Sequence, residues 1–233
     1  MMSRKRTVMW SFAVVAALLA LNWIYQVARK PAELFFPVSG ALSKTPSETW
    51  REYEVLFRRH STPVMSPQLL AALAQVEGAG NPVALAPWRL AASTDPREIY
   101  RPPSSAVGMY QITDGTFREA RRYCIREHKA IEEGCWFNGL YTRVIPSHAV
   151  ELTSAYLDRR VEAALARRPP ATLEQKQDLA AIIHLCGAAA GEAYVRRGLR
   201  LAPGQRCGAH DAKAYLERVR VMKRVFARLS ALG

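Results

Sequence analysis

Cysteine, early acidic charge and strand-like alternation are all scarce in this chain of 233 residues. Four cysteines are too few for a dense disulfide scaffold, although an even number leaves room for two bridges. No Cys-x-x-Cys occurs, so a zinc site would have to be assembled from Cys186, Cys207 and His210, a weak pattern. With 13 glycines and 14 prolines the chain is neither collagenous nor low in complexity, and internal repeats are absent. Hydrophobic residues make up 49% and charged residues 23%, values that exclude wholesale disorder. What is present in excess is positive charge: a net +13 that nucleic acid, an anionic membrane or an acidic polymer could each explain.

The charge is unevenly placed. Five basic residues and no acid fall within the first 30 residues, which leaves +8 on the remainder. Those five bracket Thr7 to Ala28, an uncharged and mostly apolar stretch of 22 residues. As a helix it would be about 33 Å long, the thickness of a bilayer core. Arg4, Lys5 and Arg6 precede it and Arg29 and Lys30 follow, a balance that favours an N-terminus on the cytoplasmic side. Trp10, Trp23 and Tyr25 stand near its ends, where amphipathic rings favour the headgroup zone. A cleaved signal peptide is the alternative, but the apolar run is longer than such peptides need. The nearest small-residue cleavage sites also place Leu18 or Gln26 three residues before the cut. The expected organisation is therefore a stub over 1–6, an uncleaved anchor over 7–28, a Pro/Gly-bearing linker or wrapped arm over 29–46, and one domain over 47–233.

That domain reads as α-dominated. Ser47 is a candidate cap for a helix bearing Trp50, Tyr53, Leu56 and Phe57. Ser66-Pro67 opens another, which ends at Gly78 and Gly80. A helix is predicted from Asp114 through Phe117, Ala120 and Tyr123, and a long one from Pro146 to about Arg168. Thr172 and Gln175 form a capping box for the next helix, which stops near Gly187; a short helix then runs to Gly198. Asp211 caps the last, whose stripe is Tyr215, Val219, Met222, Val225, Phe226 and Leu229. In an exported domain Cys124, Cys135, Cys186 and Cys207 can be oxidised. Of the three possible pairings, Cys124–Cys135 and Cys186–Cys207 close the shortest loops.

Glu77 ends an otherwise apolar helix containing Leu69, Leu70, Leu73 and Val76. A carboxyl group there faces the negative end of a helix dipole and an apolar wall, a setting suited to a general acid; from position alone the plain reading is a carboxylate turned to solvent at a frayed helix end. Twenty-four residues on, Arg101 to Phe117 form a proline-broken loop in which Gly108 permits close backbone approach and Gln111 is a lone polar side chain among Met109, Tyr110 and Ile112. His184 lies on an apolar helix, where a satisfied core histidine is the plain reading and a hydrogen bond to Glu77 or a ligand the sharper one. His60, His128, His148 and His210 sit among polar neighbours and carry no signal.

QVEGAGNP followed by SSAVGMYQIT resembles the lytic transglycosylase (SLT) domain of the lysozyme-like superfamily. That family carries a helix ending in Glu-Ser, then Asn-Pro, then a GA-x-GLMQ(I/L) loop. Glu77, Asn81 and Pro82 match the first motif, with Gly78 where serine is usual; Ala106, Gly108, Met109, Tyr110, Gln111 and Ile112 match the second, with Ser105 in place of its first glycine. The family's AYNAG segment, which brings a tyrosine near the catalytic glutamate, aligns with Ile183 to Gly187, so that His184 stands for the tyrosine and Leu185 for the asparagine. The closing helix AYLERVRVMKRVF is similar to the family's last helix.

The resemblance implies an all-α, lysozyme-like domain behind a single membrane helix, acting on peptidoglycan glycan strands in the periplasm from an anchor in a bacterial inner membrane. It implies cleavage of the β-1,4 bond between N-acetylmuramic acid and N-acetylglucosamine to give 1,6-anhydro ends. Glu77 would be the single acid/base, and neither metal nor cofactor would be needed. Gln111, Ser105 and the Met109–Tyr110 backbone would hold sugar, with His184 beside them, and Trp88 and Tyr100 either pack simply in the core or stack on sugar faces. A hydrolytic muramidase would need a second carboxylate, for which Asp95, Glu98 and Asp114 are candidates. A non-catalytic, membrane-anchored wall-binding or scaffold module is the other alternative. Nucleic acid is not an expected partner: Arg218, Arg220, Lys223, Arg224 and Arg228 read as the solvated face of an amphipathic helix.

Overall fold

A helix that is apolar on every side has to be surrounded by others, and this requirement organises the domain. The computed structural model describes residues 4–166 and 170–232. Residues 1–3 of the expected stub, the expected helix end at Arg168 and the last residue lie outside the described residues. The helices are α1 (Arg4–Arg29), α2 (Pro46–Arg59), α3 (Pro67–Gly78), α4 (Asp114–Ala120), α5 (Pro146–Leu165), α6 (Leu173–Cys186), α7 (Ala188–Arg196) and α8 (Ala212–Leu232). Every side chain of α3 from Leu69 to Ala74 is buried. Each such leucine contributes about 1.5–3 kcal/mol by leaving water. Packed on α3 are α8 and α2, where Trp50 of α2 meets Phe226 of α8 at 5.8 Å and stacks on Phe57 of its own helix at 6.2 Å. From α5 and α6, Leu152, Leu157, Leu179 and Ile182 complete the same core.

Short antiparallel hairpins decorate this frame: β1 (Arg89–Leu90) with β2 (Tyr100–Arg101), β3 (Cys124–Arg126) with β4 (Lys129–Ile131), and β5 (Arg206–Cys207) with β6 (His210–Asp211). Disulfides Cys124–Cys135 and Cys186–Cys207 have Cα separations of 5.6 and 5.2 Å, within the usual range. The second fastens the β5–β6 hairpin to the end of α6. With both sulfurs so used, Cys186 and Cys207 are not zinc ligands, and no cluster able to hold a metal occurs among the described residues.

Several boundaries differ from the pattern-based expectation. Thr45, not Ser47, caps α2: its hydroxyl accepts from the Glu48 amide while Glu48 accepts from the Thr45 amide. This pair outcompetes Ser47 because it satisfies two end groups at once. The helix at Asp114 stops at Ala120, and Tyr123 leads into β3. The Thr172–Gln175 box, the stop at Gly187 and the Asp211 carboxylate accepting from the Ala214 amide are present.

The 29–46 stretch is folded onto the domain. Pro31–Val38 is a 3₁₀ segment whose Glu33 is fully buried, ion-paired with Lys30 at 2.8 Å and accepting from the Trp88 indole at 2.7 Å. Phe36 lies against Trp88, 4.7 Å between ring centres.

Candidate active site

The apolar run that buries α3 ends at Val76, and the helix itself is stopped by two left-handed residues, Ala79 (φ 49°) and Gly80 (φ 64°). Glu77 is thereby placed on the last turn, its side chain 16% exposed. Gly78 has a separate role. A Cβ there would lie 2.8 Å from the Cα of Met109, so only glycine lets the 105–112 loop press against the helix end at this distance. This close approach accounts for Gly78 where the resembling family has serine.

Glu77 opens into a cavity of about 400 Å³. Its Oε1 accepts a hydrogen bond from the Tyr215 hydroxyl of α8 at 2.5 Å, and the His184 Nε2 of α6 lies 3.6 Å from the same oxygen. Burial, reinforced by the neighbouring carboxylate, pushes the Tyr215 phenol well above its ordinary range. Tyr215 therefore remains a proton-bearing donor throughout the neutral region. The cavity is lined by Ser104, Ala106, Gln111 and Thr113 of the 104–113 segment and by His184 and Leu185 of α6, His210 of β6 and Arg218 of α8. Gln111 sits at φ 47°, and its amide nitrogen donates to the Ala84 and Gly108 carbonyls at 3.1 and 2.9 Å. Arg218 rests over the Tyr215 ring, 5.7 Å from its centre.

Of the residues expected to hold sugar, Gln111 and His184 border the cavity with Glu77. Met109 and Tyr110 are wholly buried, their side chains in the core behind it. Ser105 faces away: its carbonyl accepts from Arg143 and its hydroxyl from the Asp114 amide. Trp88 and Tyr100 pack edge to face, 5.3 Å between centres, beneath the 31–38 segment and off the cavity wall. Trp88 is buried, with Phe36 and Tyr100 against its ring and its indole donating to the Glu33 carboxylate, so the ring is not open for stacking on a ligand.

The three candidate second acids are occupied elsewhere. Asp95 pairs with Arg97, Glu98 with Arg29 and Arg101, and Asp114 with Arg143. Among the described residues, Glu77 is the sole carboxylate on the cavity wall. The basic face of α8 is largely engaged as well: Arg220 forks onto Asp178, Lys223 donates to Gln177, and Arg224 faces Glu217 at 3.6 Å.

Sequence reasoning missed Tyr215, His210 and Arg218 as cavity residues. Tyr215 carried a signal, because a tyrosine on a buried stripe requires a partner for its hydroxyl. His210 and Arg218 carried none; only the hairpin and the helix packing bring them to the wall.

No curated protein matches the chain. The family model of the transglycosylase SLT domain matches residues 54–174, more than half of the chain, a span that includes Glu77 and Gln111. The chain therefore belongs to the transglycosylase SLT family, the lysozyme-like lytic transglycosylases that degrade peptidoglycan.

Proposed function

We propose that the protein is a membrane-anchored lytic transglycosylase in which Glu77 carries out both proton transfers. The observation that carries this reading is a lone cavity carboxylate held by a buried tyrosine. Both protein contacts of Glu77 fall on Oε1, which leaves Oε2 to face the scissile bond. In the first step Glu77 protonates the glycosidic oxygen between N-acetylmuramic acid and N-acetylglucosamine, and the substrate's own N-acetyl group shields the cationic carbon. In the second, the ionised Glu77 takes the proton of the muramyl C6 hydroxyl as that oxygen closes on C1. The product is a 1,6-anhydro end, and water is not consumed. Tyr215 stabilises the carboxylate between the two steps by a charge-assisted hydrogen bond. Gln111, its nitrogen tied to backbone carbonyls, presents its side-chain oxygen to the sugar.

α1 supplies the anchor. Within Arg6–Arg29 an 18-residue window has a mean hydropathy of 1.9, and none of that window is buried in protein. With the N-terminus in the cytoplasm, the domain works on the far side of a bacterial inner membrane, where disulfides are stable.

Digestion of purified peptidoglycan by residues 29–233, followed by mass spectrometry of the fragments, tests the reading. Anhydromuramyl ends are expected, and Glu77→Gln should lower turnover by roughly 10²–10⁴-fold. Reducing ends without anhydro sugar would identify a hydrolase instead. Activity that persists in Glu77→Gln would remove Glu77 from the mechanism.

A further inference from the structure

The end of α1 is fastened to the catalytic domain at a depth that the bilayer must reach. From Arg6 to Leu21 every residue is exposed; from Asn22 the helix is partly covered. Asn22 donates to the Tyr100 carbonyl and Gln26 to the Arg97 carbonyl, each at 2.8 Å, and Arg29 pairs with Glu98. These three residues form one stripe at helical spacing, and they grip the β1–β2 hairpin. On another side the 31–38 segment folds back along the helix, so that the Trp23 indole reaches the Glu33 carbonyl at 3.0 Å.

The exposed apolar stretch Thr7–Leu21 rises only about 22 Å, short of the roughly 30 Å of a hydrocarbon core. The uncharged run meets that thickness only if it is counted on to about Gln26. The domain is attached at that same level. Around it stand three large apolar side chains turned to solvent: Leu90 at 79%, Leu34 at 55% and Ile99 at 41% exposure. Arg89, Arg97 and Arg101 flank them, and Arg89 makes no ion pair among the described residues.

Resting on the reading of α1 as a membrane anchor, we infer that Leu34, Leu90 and Ile99 form a collar seated in the headgroup and outer acyl zone of an anionic bilayer. Arg89 faces lipid phosphates, and Trp23 and Tyr25 lie at the same depth. The polar side chains Asn22 and Gln26 are tolerated at this level because the domain, not lipid, covers them. The collar also fixes the catalytic cavity over the membrane. Lys30 donates to the Ser104 carbonyl at 3.2 Å, and Ser104 is part of the cavity wall. The enzyme thus addresses glycan strands lying against the membrane surface rather than strands deeper in the wall.

The test places a diazirine amino acid in turn at Leu18, Leu34, Leu90 and Val55 of the full chain. Each variant is reconstituted in vesicles of phosphatidylethanolamine and phosphatidylglycerol, and lipid adducts are read by mass after illumination. Val55 is 76% exposed on α2, away from the collar. Adducts at Leu18, Leu34 and Leu90 with none at Val55 are expected. An adduct at Leu18 alone overturns the collar and leaves the anchor standing; its absence at Leu18 overturns both. Equal labelling at all four positions also overturns the collar.

Discussion

Glu77 and Tyr215 are 138 residues apart in the chain, yet the hydroxyl of one and the carboxylate of the other share the shortest contact in the cavity. The tyrosine ring is locked in the α3–α8 core, so its hydroxyl is already aimed before substrate arrives. On the proposed mechanism this hydrogen bond is strongest when Glu77 is ionised, between the two proton transfers. Tyr215→Phe keeps the ring and removes only the donor. A hydrogen bond to a charged group is worth about 1.5–3 kcal/mol, so kcat should fall roughly ten- to hundredfold with KM little changed and the circular dichroism spectrum intact. His184, at 3.6 Å, makes a longer contact, and His184→Ala should cost less. Steady-state kinetics on soluble glycan strands measures both; an unchanged kcat in Tyr215→Phe would reduce Tyr215 to packing. Glu77 itself was legible in the sequence because its setting is local: an apolar helix, a carboxylate on its last turn, then Gly-Ala-Gly. Its partner was only half legible: a tyrosine on the buried stripe of α8 needs an acceptor for its hydroxyl, but the pattern does not say which one.

At the scale of elements, what could be read in advance was whatever depends on neighbours in sequence. Thr172 with Gln175, Ser66 before Pro67 and the stop at Gly187 each satisfy helix ends with groups a few residues away. The hairpins were invisible because two or three residues carry no period, and β5–β6 exists through its tie to α6. That tie has a functional position: Cys186 is two residues beyond His184, and Cys207 pairs across β5–β6 with His210. Cys124–Cys135 joins β3 to the segment after β4, with no residue on the cavity wall. By loop entropy, each bridge is worth about 3 kcal/mol. Replacing either pair by serine should therefore lower the thermal midpoint comparably, as calorimetry would record. Only the Cys186/Cys207 replacement should raise KM, because it frees the wall bearing His210. A rise in KM of similar size for the Cys124/Cys135 variant would show that the effect is general loosening.

For the molecule as a whole, composition divides the chain differently from the fold. Prolines at 31, 37 and 46 and Gly40 suggest a linker, and an expression fragment would naturally begin at residue 47. The contacts argue for an earlier start. Glu33 is the acceptor for the Trp88 indole, the Lys44 amide donates to the Ala79 carbonyl where α3 ends, and the Lys44 carbonyl accepts from Gln75. Thr45 caps α2. A fragment over 47–233 loses all of these together. The missing cap costs about 1 kcal/mol, and the lost hydrogen bond from the Trp88 indole to the Glu33 carboxylate about 1.5–3 kcal/mol. At ~2–4 °C per kcal/mol for a domain of this size, its midpoint should lie about 5–16 °C below that of a fragment over 29–233. The longer fragment retains both Lys30 for Glu33 and Arg29 for Glu98. Because Ala79 and Gln75 flank Glu77, the shorter fragment should also lose activity below its melting range, whereas a free linker would leave both properties unchanged. Differential scanning calorimetry and turnover on the two fragments, compared at one temperature, separate an integral arm from a tether.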